Sequence, residues 1–159
     1  MPPFASVRFF LMTSSACIAW LSCFDPTYAQ TITVTQHLSF GAFVAEGGGT
    51  VAIPATGPRA KTGALSLMNI GPDSQGAAAQ FSIVGTPDAA FSISLPTMAS
   101  LEGTNGTSLA VTDFTSSLSA QGLLVAGNQT VSVGATLAVP GSTAAGAYAG
   151  TFEITLDYQ

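Results

Sequence analysis

The stretch GAYAGTFEITLDYQ, residues 146–159, ends the chain and carries its most regular hydrophobic pattern. Apart from Gly150, large apolar or aromatic residues occupy every second position from residue 148 onwards, and small or polar residues lie between them. Because side chains alternate across a β-strand, the large residues share one face. They are Tyr148, Phe152, Ile154, Leu156 and Tyr158. The pattern predicts an ordered terminal strand with one half-buried face.

This face is large enough to matter for folding. Burying one such side chain stabilises a protein by about 1.5–3 kcal/mol. Five of them approach the net stability of a typical domain, about 5–15 kcal/mol. An unpaired strand of this composition would also promote aggregation at a sheet edge. We therefore expect another part of the protein, or a partner, to cover it.

The rest of the chain consists of short runs in which apolar residues alternate with polar ones, separated by Gly and Pro clusters. Roughly eight to ten strands with turn signals about every 8–15 residues are typical of a sandwich or barrel. No segment shows sustained helical spacing. The glycines at 47–49 predict a turn, and the alanines at 77–79 allow a brief helical turn. The expected fold is all-β, an antiparallel two-sheet sandwich of immunoglobulin-like or pilin-like type.

The first 29 residues have the features of a secretory signal peptide. Arg8 is the only charge before an apolar run at 9–24, and Thr27 and Ala29 are small residues where a signal peptidase reads. Cleavage between Ala29 and Gln30 would leave residues 30–159 as a single domain. A membrane anchor needs about 20 apolar residues, more than this run offers, and the residues before Cys23 fit a lipoprotein signal poorly. We expect export to the periplasm, cell surface or extracellular space.

Composition excludes several kinds of site. Both cysteines lie in the leader, so the exported chain has no disulfide and no thiolate. Only 7% of the residues are charged, and the net charge is -5. No basic patch is present that could bind nucleic acid or anionic lipid.

The sequence carries no recognisable catalytic pattern. His37 is the only histidine, and no serine lies in a nucleophile elbow. Asp73, Asp88, Glu102 and Asp113 would have to meet in one cleft to act as a general acid and base, and we interpret them as solvated turn residues. We predict no enzyme activity, no cofactor and no catalytic or metal site.

The terminal stretch resembles subunits of chaperone–usher pili. Gly146 is fourteenth from the C-terminus and Tyr158 is next to last, with alternating hydrophobic residues between them. In those families a chaperone, and later a neighbouring subunit, supplies a missing strand by β-augmentation. The resemblance implies that residues 146–158 form the partner-contacting strand. One departure is the short start of the exported chain, where residues 31–35 could be donated or could be the domain's own first strand.

A second resemblance extends over the whole exported chain. The segments LSFG at 38–41, FSIVG at 81–85, FSISLP at 91–96, VGATL at 133–137 and GAYAGTF at 146–152 are similar to an exported bacterial family catalogued as domain of unknown function 4402. This resemblance implies a secreted or surface β-sandwich and no catalytic residues.

These resemblances imply an exported, non-enzymatic structural or adhesive surface protein, in particular a pilus- or fimbria-like subunit that works by strand complementation. Its partner would be a periplasmic chaperone or a neighbouring subunit, including a second copy in a homo-oligomer, with no transmembrane anchor after signal cleavage. The alternative is a self-contained sandwich that binds carbohydrate or protein through its loops, with residues 101–108 as the contact surface. The candidate partner-binding residues are Ile32, Val34, Gly146, Tyr148, Phe152, Ile154, Leu156 and Tyr158.

Overall fold

The structure is a computed structural model that describes residues 30–159. The predicted signal peptide, residues 1–29, lies outside the described residues. Eleven strands form within this range. They are β1 (Thr31–Gln36), β2 (Phe43–Ile53), β3 (Ala60–Leu67), β4 (Ala79–Val84), β5 (Ala90–Ser94), β6 (Met98–Gly103), β7 (Ser108–Ser116), β8 (Gln121–Leu123), β9 (Asn128–Val139), β10 (Tyr148–Ala149) and β11 (Thr155–Tyr158).

The strands form two antiparallel sheets. The larger sheet has the order β1-β4-β9-β7-β6-β10, and the β2–β3 hairpin joins it through pairing of β2 with β9. The smaller sheet has the order β11-β5-β8. The prediction of an all-β antiparallel sandwich is therefore confirmed.

Two apolar clusters form the core. The second cluster lies between the two sheets. In it, Val131 and Val133 of β9 pack with Phe81 of β4 and with Phe91 and Ile93 of the small sheet. The first cluster is built almost entirely from residues of the large sheet. Its buried members are Phe40, Val51, Ile53, Leu65, Leu109, Val111, Ala135, Leu137 and Val139.

The predicted turn at residues 47–49 is wrong. The three glycines lie inside β2, which pairs with β3 on both sides of them, and the register shifts between Ala45 and Gly48. A β-bulge inserts residues into one strand without ending it, and glycine tolerates the backbone angles that this requires. Gly48 has a φ of 87°, in the left-handed region. The same glycines that suggested a chain reversal thus allow a strand to bend and continue.

The alanines at 77–79 do not form the brief helical turn that their composition allows, and Ala79 is buried in the core instead. Ala77 forms an isolated bridge with Ser39, and β4 begins at Ala79. A short 3-10 turn lies just upstream instead, at Pro72–Ser74, where proline is favoured at a helix start. In the described residues, no helix is long and apolar enough to cross a membrane.

Candidate functional site

The most conspicuous feature of the surface is a groove of about 920 Å³ along a seam in the large sheet. The sheet starts at β1 and ends at β10, and both terminal strands contribute residues to this groove. Within residues 30–159, β1 pairs only with β4 and β10 pairs only with β6. Each strand therefore has one edge without a strand partner among the described residues, and residues of both strands line the groove.

The floor of the groove is apolar and belongs to the core. Phe40 is 7% exposed and Leu109 is 1% exposed, yet both line the groove. The floor thus reaches the first core cluster without an intervening layer of polar side chains. The apolar floor residues are Leu109, Val111, Phe114 and Leu137, together with the side chain of Phe40, whose backbone belongs to a wall.

Two chain segments form the walls. One wall consists of Val34 and residues 36–45, and the other consists of residues 143–152. Neither wall contributes a carboxylate, a lysine or an arginine to the lining. The groove is therefore suited to an uncharged, largely apolar occupant.

The terminal stretch is half-buried as expected, but it is not one continuous strand. Residues 148, 152, 154, 156 and 158 are partly buried and the residues between them are exposed. Regular pairing stops between β10 and β11. Continuing the β11–β5 register would place Glu153 opposite Pro96, which has no N–H to donate. The prediction of an uninterrupted terminal strand is wrong for this physical reason.

Gly150 marks the place where the terminal segment passes closest to β6. A Cβ atom at residue 150 would lie 2.1 Å from the carbonyl oxygen of Ser100. We expect Gly150→Ala to destabilise the domain by about 1–3 kcal/mol, because the backbones must separate. Urea unfolding checks this value. Gly146→Ala is the matched control, since its nearest neighbour outside the local chain is Thr104 Oγ1 at 3.5 Å, and an equal loss in both variants would contradict the steric explanation.

Of the eight predicted partner-binding residues, four line the groove and four do not. The groove is lined by Val34, Gly146, Tyr148 and Phe152. Outside the lining, Ile32 lies on β1 and is 43% exposed. The remaining three, Ile154, Leu156 and Tyr158, pack against the second core cluster.

Aromatic contacts of Phe152 fix the position of the terminal segment in the groove. The Phe152 ring packs against Phe114 with ring centroids 5.2 Å apart, and against Phe81 at 6.4 Å in an edge-to-face arrangement. Such pairs add about 0.5–1.5 kcal/mol beyond the burial of their area. Earlier in the same wall, the Tyr148 hydroxyl donates a 2.7 Å hydrogen bond to the carbonyl of Ala144.

Tyr158 combines a packed ring with a hydroxyl that lacks a partner. Its ring lies 6.5 Å from that of Phe91. Its Oη atom is buried without a hydrogen-bond partner among residues 30–159. Removal from water raises the pKa of the Tyr158 phenol. The penultimate tyrosine therefore acts in this structure as a packing residue of the core.

The sequence patterns did not identify the first wall or the floor of the groove. The LSFG segment at 38–41 was named only for its family resemblance, and its only strand-type pairing is the bridge between Ser39 and Ala77. The alternation of Leu38 and Phe40 was the available signal. A local pattern cannot show that such a segment borders an open seam, because the opposite wall comes from residues about a hundred positions later in the chain.

The residues considered for chemistry lie on separate elements. His37 is exposed at the groove wall, Asp88 is exposed in the turn before β5, Glu102 lies in β6 and Asp113 lies in β7. Asp73 belongs to the 3-10 turn. In the part of the chain that the structure describes, no group of three His, Cys, Asp or Glu side chains is arranged to hold a metal ion.

Comparison with known proteins places the chain in a family. The family model described as "Domain of unknown function (DUF4402)" matches residues 31–158. No curated protein and no solved structure matches the chain. The likeness to pilin subunits thus rests on the pattern of the terminal residues alone, whereas the family match runs through both groove walls, both sheets and both core clusters. The chain belongs to the DUF4402 family.

Proposed function

We propose that the protein is an exported, non-enzymatic structural or adhesive surface protein, a fimbria-like subunit whose groove accepts an extended strand from a neighbouring subunit. The observation that carries this proposal is the seam in the large sheet, where two strand edges without strand partners border an apolar floor. A strand added at a sheet edge gains main-chain hydrogen bonds, and its alternate side chains enter pockets. The seam offers both kinds of contact.

The chemistry of the lining supports a strand with small apolar side chains at alternate positions. The floor has no charged group, and the two walls contain many small residues, such as Ala42, Ala45, Gly146 and Ala147. Burying an unpaired charge there would cost several kcal/mol. A charged or strongly basic peptide is therefore a poor occupant.

The occupant we favour is β1 of a second copy, which leaves its pairing with β4 of its own domain in order to enter the groove. All six residues of β1 are exposed, and its apolar members Ile32 and Val34 remain 43% and 49% exposed. The segment TITVTQ has no charged residue, which matches the uncharged lining. Contact of β1 with the groove of the next copy joins two different surfaces, and such heterologous contacts generate rings or open chains of subunits.

The test uses the domain of residues 30–159 and a peptide of residues 30–36. We expect the peptide to bind the groove and to reduce self-association of the domain in size measurements. Gly146→Glu is expected to weaken peptide binding at least tenfold, since it places a carboxylate in the apolar lining. The thermal midpoint should stay unchanged, because a side chain at residue 146 has space.

Matched controls separate groove binding from general stickiness. Gly146→Ala should bind like the wild type, and a peptide carrying Ile32→Asp and Val34→Asp should not bind. If the domain is a monomer that binds neither peptide, the strand-complementation proposal is rejected. That result would leave the self-contained sandwich that uses its loops, including the β6–β7 connection at residues 104–107.

A further inference from the structure

We propose that Arg59 is a positioning residue of the groove, which fixes one groove wall from behind and keeps the groove open for a strand; this inference rests on the proposed function. Arg59 and Lys61 are the only basic side chains in residues 30–159. Arg59 is partly buried and does not line the groove. Its guanidinium nevertheless contacts the groove wall directly.

The guanidinium binds four acceptors on two separate segments. Nη1 donates to the carbonyl oxygens of Phe40 at 2.9 Å and Ala42 at 3.2 Å. Nη2 donates to the carbonyl oxygen of Met68 at 2.9 Å and to Oδ1 of Asn69 at 3.2 Å. The planar fork of an arginine is suited to several acceptors at once, whereas lysine offers a single point charge. Arg59 therefore ties the wall at residues 40–42 to the end of the β2–β3 hairpin.

The contact lies on the side of the wall away from the groove. A Cβ atom at Gly41 would lie 2.4 Å from Nη1 of Arg59 and 2.3 Å from the carbonyl oxygen of Ser74. The wall therefore has polar atoms of Arg59 and Ser74 packed closely against it at Gly41. Gly41, with a φ of 69°, leaves the space that the guanidinium fills.

Besides this contact, the side chain of Phe40 anchors the wall in the first core cluster, while the backbone of the wall has few restraints. Residues 37–42 lie between β1 and β2, and backbone bonds hold them at three places, Ser39 with Ala77, Ala42 N–H to Ser74 and Met68 N–H to Ala42. An empty groove with an apolar floor favours closure, because closing removes apolar surface from water. A groove held in its open form binds a strand more tightly, because no free energy is spent on reopening it. The role of Arg59 is to hold the backbone of this wall in its open position.

The experiment measures wall order and strand binding separately. Amide hydrogen exchange followed by NMR reports local opening at individual residues. In Arg59→Gln we expect the amides of Ala42 and Met68 to exchange at least tenfold faster than in the wild type, while the amide of Val133 in β9 stays unchanged. The affinity for the peptide of residues 30–36 should fall about tenfold. Arg59→Lys should restore part of both.

Controls make the outcomes distinct. Lys61→Gln removes the other positive charge, whose ammonium donates to the carbonyl of Leu65, and it should change neither readout. If Arg59→Gln does not fold, Asn69→Ala removes one acceptor only and should shift both readouts in the same direction by a smaller factor. Unchanged exchange at Ala42 and Met68, or equal acceleration throughout the domain, overturns the role of Arg59. Wild-type protein that binds no peptide rejects the proposed function, while the exchange rates still decide on Arg59.

Discussion

A chain that ends at Gly150 is expected to lose cooperative folding. The truncation removes β11 and the half-buried side chains of Phe152, Ile154, Leu156 and Tyr158. Full burial of such a side chain stabilises by about 1.5–3 kcal/mol, so four partly buried ones contribute roughly 3–6 kcal/mol. The net stability of a domain is only about 5–15 kcal/mol. Loss of the β11–β5 pairing adds to the cost.

The measurement is thermal and urea unfolding followed by circular dichroism. The truncated chain should show no sigmoidal transition, whereas the full domain should unfold in one step. The double variant Glu153→Ala and Asp157→Ala is the control, since both residues are exposed on the same segment and surface changes usually stay within about 0.5 kcal/mol. A truncated chain that keeps the wild-type midpoint would show that the terminal segment does not hold the two sheets together.

Phe91→Ala is expected to cost about 3–5 kcal/mol of unfolding free energy, the range for truncating a buried aromatic side chain. Phe91 is 0% exposed and lies in the central strand of the small sheet. Its ring contacts Tyr158 on one side, and a Cβ atom at Gly122 would lie 2.4 Å from its Cζ atom. No neighbouring side chain can refill the space without moving a strand.

Differential scanning calorimetry checks this value as a fall in the melting temperature of roughly 10–20 °C. Met98→Ala is the matched control, because Met98 is 67% exposed and its loss should change the midpoint only slightly. A fall of less than about 3 °C in Phe91→Ala would mean that the cluster between the two sheets is not packed as described.

Local patterns predicted most of the strands and failed where long-range contacts decide. The alternation of Val131 to Val139 identified β9, whose buried positions follow the same period. The glycines at 47–49 were misread because a bulge and a turn use the same residue, and only the pairing partner distinguishes them. The terminal strand was predicted without its interruption, since the cause, Pro96, lies in the connection between β5 and β6 and not in the segment itself.

The candidate site shows the same division. Val34, Gly146, Tyr148 and Phe152 were predicted from sequence and line the groove. The floor residues were not identified from the sequence, because burial in a sandwich and position at an open groove have the same sequence pattern. No sequence pattern assigned Arg59 to the groove. Three of the acceptors of Arg59 are main-chain carbonyl oxygens and the fourth is the side-chain amide oxygen of Asn69. A sequence does not show which carbonyls will face a given guanidinium.

The sequence by itself determined the all-β class, the family and the half-buried alternation of the last residues, because the period of apolar side chains is a local property of the chain. The tertiary structure was needed to show that the two end strands of the large sheet, β1 and β10, line one groove, that its floor is the core itself, and that Arg59 contacts one of its walls. The physical reason is that strand order and sheet closure depend on which distant segments pair, and a periodic pattern specifies which face is buried but not which partner covers it.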